Sequence, residues 1–348
     1  MKVVHLTARR QLTIAEVPQP TLQRPDAVLL RMARVGICGS DVHYYRDGRI
    51  GDQIVEYPSS VGHECAGTVV EVGAAVSTLA PGDRVAIDPA IVCGTCDQCR
   101  AGRSNTCRRL QFMGSPGEAP GALAQYCTVP AANCFAIPPS MSWDVAVLVE
   151  PLSIGLYAVR LSQAEPGARI AIFGAGPIGL SVLLSAKATM PCTVWMTDLL
   201  DERLAVARRC GADATTNARQ EGSLETETMA RQEPQWFDRV FECSGDAACI
   251  DQAQRLLSPG GRLMLVGIPP QEQVHFNPHR MRRAELTFQS VRRQKDSVAP
   301  MIRLLDQGLI DPRPMLTHCY PLSQVGAAFE LVAGYRDGVV KAVVEVGS

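Results

Sequence analysis

Four cysteines close together in the chain constrain its fold more than any other feature. Cys93, Cys96, Cys99 and Cys107 are separated by two, two and seven residues. Four thiolates on one short loop match the tetrahedral coordination that Zn²⁺ prefers. The alternative is a pair of disulfides, but the first residues lack the long apolar region of a secretory signal, which favours a reducing compartment and metal binding. The pattern predicts a structural zinc site that does no chemistry, because all four positions are filled.

Length and composition indicate a folded chain of two domains. The sequence has 348 residues, of which 46% are hydrophobic and 20% charged, as in ordinary globular proteins. The net charge is −1, with Lys and Arg spread along the chain, which argues against nucleic acid or an anionic membrane as the main partner. Apolar stretches such as residues 178–186 are too short to span a bilayer. We therefore expect a soluble, cytoplasmic protein.

The character of the chain changes near residue 152. The first part is rich in Gly, Pro and short β-type runs, which predict a mostly antiparallel, barrel-like domain. Residues 153–285 alternate apolar strands with helical periods, which is typical of a parallel sheet covered on both faces. Mixed segments follow from residue 286 and end in a strand-like KAVVEVG. The pattern predicts an α/β fold with one domain from residues 1–152 and 286–348 and a second from residues 153–285.

A glycine motif lies between a strand and a helix of the second domain. Gly174, Gly176 and Gly179 follow the pattern G-x-G-x-x-G, and Pro177 and Ile178 begin the helix. Such glycines allow a tight turn, close approach of a pyrophosphate and close packing of helix on strand, while the helix N-terminus offers free N–H groups. The alternative is a tight turn without a ligand. The strand and helix around the motif favour a dinucleotide site.

The acidic residue that such a site requires about 20 positions later is Asp198. Its carboxylate is suited to accept hydrogen bonds from the ribose hydroxyls of NAD and to repel the 2′-phosphate of NADP. Leu199 and Leu200 follow, where a phosphate-binding site would have Arg or Lys. Arg203 lies further on, in a position from which it could contact the adenine. These residues predict NAD as the nucleotide.

A third group of residues is dispersed along the first part of the chain. Cys38, His63, Glu64 and Glu150 supply one thiolate, one imidazole and two carboxylates, a set that suits an open, catalytic Zn²⁺ site. Each also has an ordinary structural interpretation, as a buried thiol, a core histidine or a capping carboxylate. Spacing alone does not decide between these interpretations.

The order of the motifs adds a family resemblance. GICGSDVHYY, GHE, the four-cysteine loop, EPLSIG and GAGPIG occur in this order along the chain. The chain thereby resembles the zinc-dependent medium-chain dehydrogenase/reductase superfamily, and within it the polyol dehydrogenase branch of sorbitol and xylitol dehydrogenases. The resemblance extends over essentially the whole chain. It implies a GroES-like domain that holds a catalytic zinc and a Rossmann domain that holds NAD.

The resemblance also implies roles for the dispersed residues. Cys38, His63 and Glu64 match catalytic-zinc ligands, and Glu150 matches a glutamate that holds, or alternates with, a zinc-bound water. Which of the two glutamates contacts the metal stays open at this stage. Asp41 matches a carboxylate that orients the histidine ligand.

Further positions match the proton path, the substrate pocket and the nicotinamide site. Ser40 and His43 match a proton relay, and Tyr44 and Phe112 match substrate-pocket positions. Arg293 matches an arginine that contacts polyol hydroxyls, whereas its neighbour Arg292 stands where related enzymes often have Phe. The residues expected to line the nicotinamide are Cys243, Ser244, Gly245, Val266, Ile268 and Ser290.

The implied activity is oxidation of a polyol. Zinc lowers the pKa of a secondary hydroxyl, the proton leaves through water held by Glu150 or through Ser40 and His43, and NAD⁺ accepts the hydride to give a ketose. The alternatives are a zinc enzyme for another secondary alcohol, such as L-threonine, and a non-enzymatic NAD-binding protein. A homo-oligomer, tetramer or dimer, is expected.

Overall fold

A computed structural model describes residues 1–219 and 236–347 and divides the chain into two compact units. The first unit comprises Met1–Glu150, Val298–Asp306 and Leu316–Ser348. The second unit comprises Pro151–Ser297 and Gln307–Met315. Each unit is described by itself below.

The described strands are numbered in chain order. They are β1 Lys2–Ala8, β2 Gln11–Glu16, β3 Ala27–Gly36, β4 Arg49–Ile50, β5 Gln53–Ile54, β6 Ser59–Ser60, β7 Glu64–Val72, β8 Arg84–Ile87, β9 Ala90–Ile91, β10 Gln111–Phe112, β11 Tyr126–Pro130, β12 Cys134–Ala136, β13 Arg169–Phe173, β14 Thr193–Asp198, β15 Ala214–Asn217, β16 Phe237–Glu242, β17 Leu257–Leu265, β18 Thr287–Ser290, β19 Leu316–Pro321 and β20 Lys341–Glu345.

The described helices are numbered in the same way. They are α1 Gly39–Asp47, α2 Asp97–Arg100, α3 Trp143–Ala146, α4 Val149–Ser162, α5 Pro177–Thr189, α6 Asp201–Arg209, α7 Ala247–Leu256, α8 Pro278–Ala284, α9 Val298–Asp306 and α10 Val325–Ala333, with short 3₁₀ turns at Ser104–Thr106, Ala131–Asn133, Arg313–Met315 and Leu322–Gln324.

The first unit is built on a mainly antiparallel sheet. Its strand order is β12-β8-β7-β3-β20-β19, and β11 pairs with β3 as well. The central strand β3 is almost continuously apolar, and its Val28, Leu30 and Met32 are fully buried while Arg31 points to solvent. Burial of this apolar surface supplies the main driving force for the unit. The last strand, β20, pairs antiparallel with β3 and so places the C-terminal residues beside those that lead into α1.

The second unit is a six-stranded parallel sheet within the described residues. The strand order is β15-β14-β13-β16-β17-β18. From β13 the chain first adds β14 and β15 on one side, and then crosses to the other side of β13, where it adds β16, β17 and β18. This is the doubly wound arrangement, with its topological switch point between β13 and β16. The near-continuous apolar strands that predicted a parallel sheet are buried, as in β13, where Ile170, Ala171 and Ile172 are fully buried.

The structure places the unit boundary later than residue 286. Strand β18, Thr287–Ser290, pairs in parallel with β17, so the chain stays in the second unit through Ser297. The segment Gln307–Met315 also belongs to the second unit. Strand β18 is short and polar at its ends, which is why the sequence pattern did not mark it as a sixth parallel strand.

Among the described residues, no helix combines the length and the apolar character needed to cross a membrane.

Candidate metal centres and nucleotide site

The four predicted structural-zinc ligands converge on one point. Cys107 Sγ lies 3.4 Å from Cys93 Sγ, Cys93 Sγ lies 4.0 Å from Cys99 Sγ, and Cys96 Sγ lies 3.9 Å from Cys107 Sγ. Four sulfurs about 2.3 Å from a tetrahedral Zn²⁺ are about 3.8 Å apart, so these separations fit the ion. They exceed a disulfide bond, which is about 2.0 Å long, and all four thiols are free.

Helix α2 and the turns around it bring these thiols together. Cys96 precedes α2 and Cys99 lies within it, while the Cys93 N–H and the Arg109 N–H both donate to Cys107 Sγ at 3.4 Å. Hydrogen bonding from the Thr95 backbone lowers the pKa of Cys93 to about 5, whereas desolvation and neighbouring thiols raise the pKa of Cys99 to about 12. Four thiolates this close repel one another unless a cation lies between them. The loop therefore has the charge properties of a metal site.

A second group joins residues from two parts of the first unit. Ligand atoms of Cys38, His63 and Glu64 all lie within 4.8 Å of one another. Cys38 comes directly before α1, and His63 and Glu64 lie at the start of β7, which pairs with β3. One thiolate, one imidazole and one carboxylate leave a fourth position free, as in catalytic zinc sites. Glu64 is thus the carboxylate that the structure brings to Cys38 and His63.

The carboxylate of Asp41 lies next to this group. Its carboxylate accepts hydrogen bonds from the Cys38 N–H at 3.0 Å and the Gly62 N–H at 3.1 Å, and its Oδ1 lies 3.6 Å from His63 Nδ1. Burial acts to raise the pKa of Asp41, but the charge of His63 and these hydrogen bonds outweigh it and lower that pKa. Because Nδ1 of His63 faces Asp41, Nε2 is the nitrogen available to a metal. The family resemblance implies that Asp41 orients His63, and the structure places the two side chains next to each other.

The partner of Glu64 was not predicted from the sequence. Lys341, the first residue of β20, donates to both Glu64 carboxylate oxygens at 2.7 Å and to the Ile37 carbonyl at 3.1 Å. The side chains of Lys341 and Glu64 are both 1% exposed. A lysine inside the apolar run VVKAVVEV was the available signal, since buried lysines are rare unless they are paired.

Glu150 lies at the start of α4 and is almost fully buried. Burial raises its pKa to about 8, with the charges of Glu64 and Asp88 adding to the rise and those of His63 and Lys341 opposing it. Glu150 is therefore close enough to His63 and Glu64 for their charges to affect its pKa. It is not one of the three residues whose ligand atoms lie within 4.8 Å of one another.

The other predicted residues of the first unit lie around α1 and the His63 ring. Ser40 is in the first turn of α1, and His43 follows with its Nδ1 3.2 Å from Asp47 Oδ2. Tyr44 is buried on the same helix. The ring of Phe112 lies 5.0 Å from that of His63 at a tilt of 55°. Phe112 therefore packs directly on a candidate metal ligand.

The predicted dinucleotide loop lies at the switch point of the second unit. Gly174 has φ +97°, and a Cβ there would lie 3.0 Å from the Ser244 nitrogen, at the end of β16. A Cβ on Gly179 would lie only 1.9 Å from the Gly174 carbonyl oxygen. Gly176 precedes α5, and Pro177 occupies its first position, where a missing N–H costs little. The backbone here can adopt this shape only with glycine at positions 174 and 179.

Asp198 ends β14 beside this loop and is already engaged. Its Oδ2 accepts from the Ala175 N–H at 2.7 Å, and its Oδ1 accepts from the N–H groups of Leu199 and Leu200 at 2.7 and 3.0 Å. Two carboxylate oxygens have about four acceptor sites, so the group retains capacity for a ribose hydroxyl. Arg203 is buried, and its Nη1 lies 3.5 Å from the position of a Cβ on Gly176. Arg203 thus lies against the glycine loop.

The remaining predicted nucleotide residues follow the carboxyl ends of neighbouring strands. The Cys243 N–H donates to the Phe173 carbonyl at 2.8 Å, and the Val266 N–H donates to the Glu242 carbonyl at 2.9 Å. Ile268 is 49% exposed, and Ser290 ends β18. Carboxyl ends of parallel strands share one edge of the sheet, which is where such folds bind ligands.

Arg293 lies in the second unit, three residues after the end of β18, with φ +54°. Its neighbour Arg292 is exposed. Tyr44 and Phe112, the other predicted substrate residues, belong to the first unit.

Comparisons with known proteins match this geometry. Residues 24–139 match the alcohol dehydrogenase GroES-like domain, and residues 177–307 match the zinc-binding dehydrogenase domain. The sorbitol dehydrogenase of Bacillus subtilis is 36% identical over 99% of this chain and 97% of its own length. The L-idonate 5-dehydrogenase of Vitis vinifera is 36% identical over 89% of this chain and 85% of its own length.

Among solved structures, an alcohol dehydrogenase (rspB) from Escherichia coli CFT073, complexed with NADH, superposes with a TM-score of 0.91. It is 29% identical, and the match covers 99% of both chains. The match covers both units, both candidate metal groups and the glycine loop. The chain is therefore similar to these relatives over its whole length and not in a single domain only. The resemblance seen in the sequence is thereby confirmed, and the chain belongs to the polyol dehydrogenase branch of the zinc-dependent medium-chain dehydrogenase/reductase superfamily.

Proposed function

We propose that this protein is an NAD-dependent polyol dehydrogenase that oxidises one secondary hydroxyl of a xylitol- or sorbitol-like substrate to a ketone. The observation that carries the proposal is the group of Cys38, His63 and Glu64, whose ligand atoms lie within 4.8 Å of one another and leave one position open. A closed group of four ligands, as at the four cysteines, would have only a structural role.

Cys38, His63 and Glu64 would hold the catalytic zinc, and Asp41 fixes the orientation of His63. A zinc ion bound there supplies Lewis-acid polarisation of a hydroxyl group. Cys93, Cys96, Cys99 and Cys107 would hold a second, structural zinc.

The proton of the substrate hydroxyl would pass to Glu150, through a water or directly. Glu150 is buried beside the metal group, in a position where its charge interacts with those of His63 and Glu64. Ser40 and His43 on α1 form an alternative proton path that leads towards Asp47, the neighbour of His43. A buried acid–base group close to the reacting hydroxyl contributes typically 10²–10⁴-fold to the rate.

The nucleotide would lie along the carboxyl edge of the parallel sheet. The pyrophosphate would meet the N–H groups at the start of α5, and the adenosine ribose would meet Asp198. NAD⁺ supplies the hydride acceptor. Because Asp198 is an anion followed by two leucines, it disfavours the additional phosphate of NADP.

Recognition of the remaining hydroxyls would fall to Arg293. A guanidinium offers five N–H donors in a fixed fork, which suits a substrate with several hydroxyls. A buried hydroxyl without a partner costs about 1–3 kcal/mol.

We further propose that the protein is cytoplasmic and forms a homo-oligomer, a dimer or tetramer. The free thiols of the described residues suit a reducing compartment. Strand β18 is an edge strand of the parallel sheet in the described residues, so its outer edge is available for pairing with a second copy.

The test is a panel of four- to six-carbon polyols, L-threonine and propan-2-ol, each with NAD⁺ and NADP⁺. We expect turnover of at least one polyol, with NAD⁺ preferred. Arg293→Leu should raise KM for that polyol by roughly tenfold or more, since a factor of ten corresponds to about 1.4 kcal/mol, and should leave propan-2-ol little changed. Arg292→Leu is the matched control, because Arg292 is exposed.

Turnover of L-threonine without any polyol would contradict the substrate class. Equal losses on both substrates in Arg293→Leu would show that Arg293 supports the structure or the nucleotide and does not recognise polyols.

A further inference from the structure

A continuous chain of hydrogen bonds joins two loops of the first unit beside the His63 ring. Tyr44 Oη donates to Gln53 Oε1 at 3.0 Å, and Gln53 Nε2 donates to Glu118 Oε1 at 2.7 Å. The other oxygen of Glu118, Oε2, accepts from the Phe112 N–H at 2.6 Å. Gln53 and Glu118 are 65 residues apart in the sequence and carry no motif.

The direction of every bond in this chain is determined. The Glu118 carboxylate is only an acceptor, so the neighbouring atom of Gln53 is its NH₂ group and the carbonyl of Gln53 faces Tyr44. An aliphatic residue at position 53 would break two bonds. A second carboxylate at position 53 would face that of Glu118 at a distance where only a donor is tolerated.

The chain of bonds ends on a loop that packs against the metal group. Phe112 places its ring 5.0 Å from the His63 ring. A Cβ on Gly114 would lie 2.9 Å from the Gly62 carbonyl oxygen, so the loop also contacts the segment that leads into His63. The loop closes on itself, because Ala119 N and Ser115 N donate to the Phe112 carbonyl. Only a short movement of Phe112 is compatible with these contacts.

The other end fixes Tyr44. Tyr44 is 5% and Phe112 is 8% exposed, and both would form walls of the substrate pocket. Gln53 comes from the small β4–β5 hairpin. It binds Tyr44 directly and is linked to Phe112 through Glu118.

We propose that Gln53 and Glu118 are positioning residues that hold Tyr44 and Phe112 in place and thereby set the selectivity for polyols over short alcohols. The proposal rests on the proposed function. A polyol extends past the reacting carbon and meets both walls, whereas a short alcohol occupies only the space next to the metal group.

The test exchanges the two residues. Gln53→Glu alone sets two carboxylates against each other. Glu118→Gln alone can keep every pair if the Gln53 amide flips, because the Tyr44 hydroxyl can then accept from the Gln53 NH₂ group. The double variant Gln53→Glu/Glu118→Gln restores every donor–acceptor pair: the new carboxylate accepts from Tyr44 and from the new amide, whose carbonyl accepts from the Phe112 N–H. Gln23→Glu, at an exposed position of the same unit, is the matched control.

Two readouts are compared in the zinc-loaded protein. We expect Gln53→Glu to raise KM for the preferred polyol on the order of tenfold with a smaller change in kcat and to leave propan-2-ol within about threefold. Glu118→Gln should have a smaller effect, and the double variant should recover most of the Gln53→Glu loss. Hydrogen–deuterium exchange of peptides covering residues 110–120 should accelerate in Gln53→Glu and return towards wild type in the double variant.

Faster exchange without any polyol-specific rise in KM would overturn the selectivity role, as would unchanged exchange in Gln53→Glu or an equal effect of Gln23→Glu. The exchange measurement needs no turnover. If the wild-type protein oxidised no polyol, the proposed function would fail while exchange still decided whether the bridge exists.

Discussion

Lys341 is the residue that balances the charge of the candidate catalytic group. It is fully buried, and its three donors are used by the two oxygens of Glu64 and the Ile37 carbonyl. Removing one partner of a buried ion pair leaves the other charge uncompensated, which costs more than the pair itself contributes. The site thus depends on a residue far from its motifs in sequence.

In zinc-free protein, Lys341→Met should lower the free energy of unfolding by about 3–5 kcal/mol, because Glu64 then lies buried without a cation. The double variant Lys341→Met/Glu64→Gln should recover part of the loss. Lys187→Met is the matched control: the Lys187 side chain is 27% exposed and pairs with Asp213, so its loss should cost about 1 kcal/mol or less. Urea denaturation measures all three, and equal losses for both lysines would contradict the argument.

Asp198 combines two roles that substitution can separate. Asp198→Asn removes the charge that we propose repels NADP but keeps one carbonyl acceptor for the backbone, whereas Asp198→Ala removes the acceptors of Ala175, Leu199 and Leu200 as well. We expect both variants to narrow the NAD-to-NADP preference, measured as a ratio of kcat/KM values. Only Asp198→Ala should clearly lower the melting temperature. Native NADP⁺ turnover as efficient as that with NAD⁺ would refute the role of the charge.

At the scale of elements, the two metal groups should differ in what they support. Cys99→Ser should lower thermal stability, because the loop of residues 93–107 is held by its thiols and a few backbone bonds. Cys38→Ser should abolish turnover with a smaller effect on folding, since α1 and β7 are fixed by other contacts. Metal analysis should give about two Zn²⁺ per chain in the wild type and about one in each variant. Cys192→Ser, outside both groups, is the control, and fresh reduced wild-type protein without zinc at the loop would disprove the structural site.

The glycine loop and α10 give opposite expectations for the same substitution. Gly179→Ala places a Cβ 1.9 Å from the Gly174 carbonyl oxygen, so α5 must move, at a cost of about 1–3 kcal/mol and with weaker NADH binding. Gly326→Ala, on α10, meets no atom within 4 Å and should stabilise the helix by roughly 0.5–1 kcal/mol. Thermal unfolding and NADH fluorescence titration check both. A tolerated Gly179→Ala would mean that the helix–strand packing is looser than described.

At the scale of the whole molecule, local patterns predicted the elements better than their partners. The alternation of apolar strands and helices was sufficient for a parallel sheet, because each strand buries both faces. The four-cysteine loop was predictable since its ligands are close in sequence. Strand β18 was not predictable from the sequence, because its four residues have little apolar character. Lys341, Gln53 and Glu118 were missed because each finds its partner only through the tertiary fold.

The link between Lys341 and Glu64 has a consequence for synthesis on the ribosome. The two residues are 277 positions apart, and the whole inserted unit, Pro151–Ser297, is translated between them. At about 5–20 residues per second, Glu64 waits roughly 14–55 seconds for its cation. The second unit can complete its own sheet during that interval. The pairing of Glu64 with Lys341 can form only after β20 leaves the exit tunnel, so the candidate metal group acquires its buried cation after the second unit has been made.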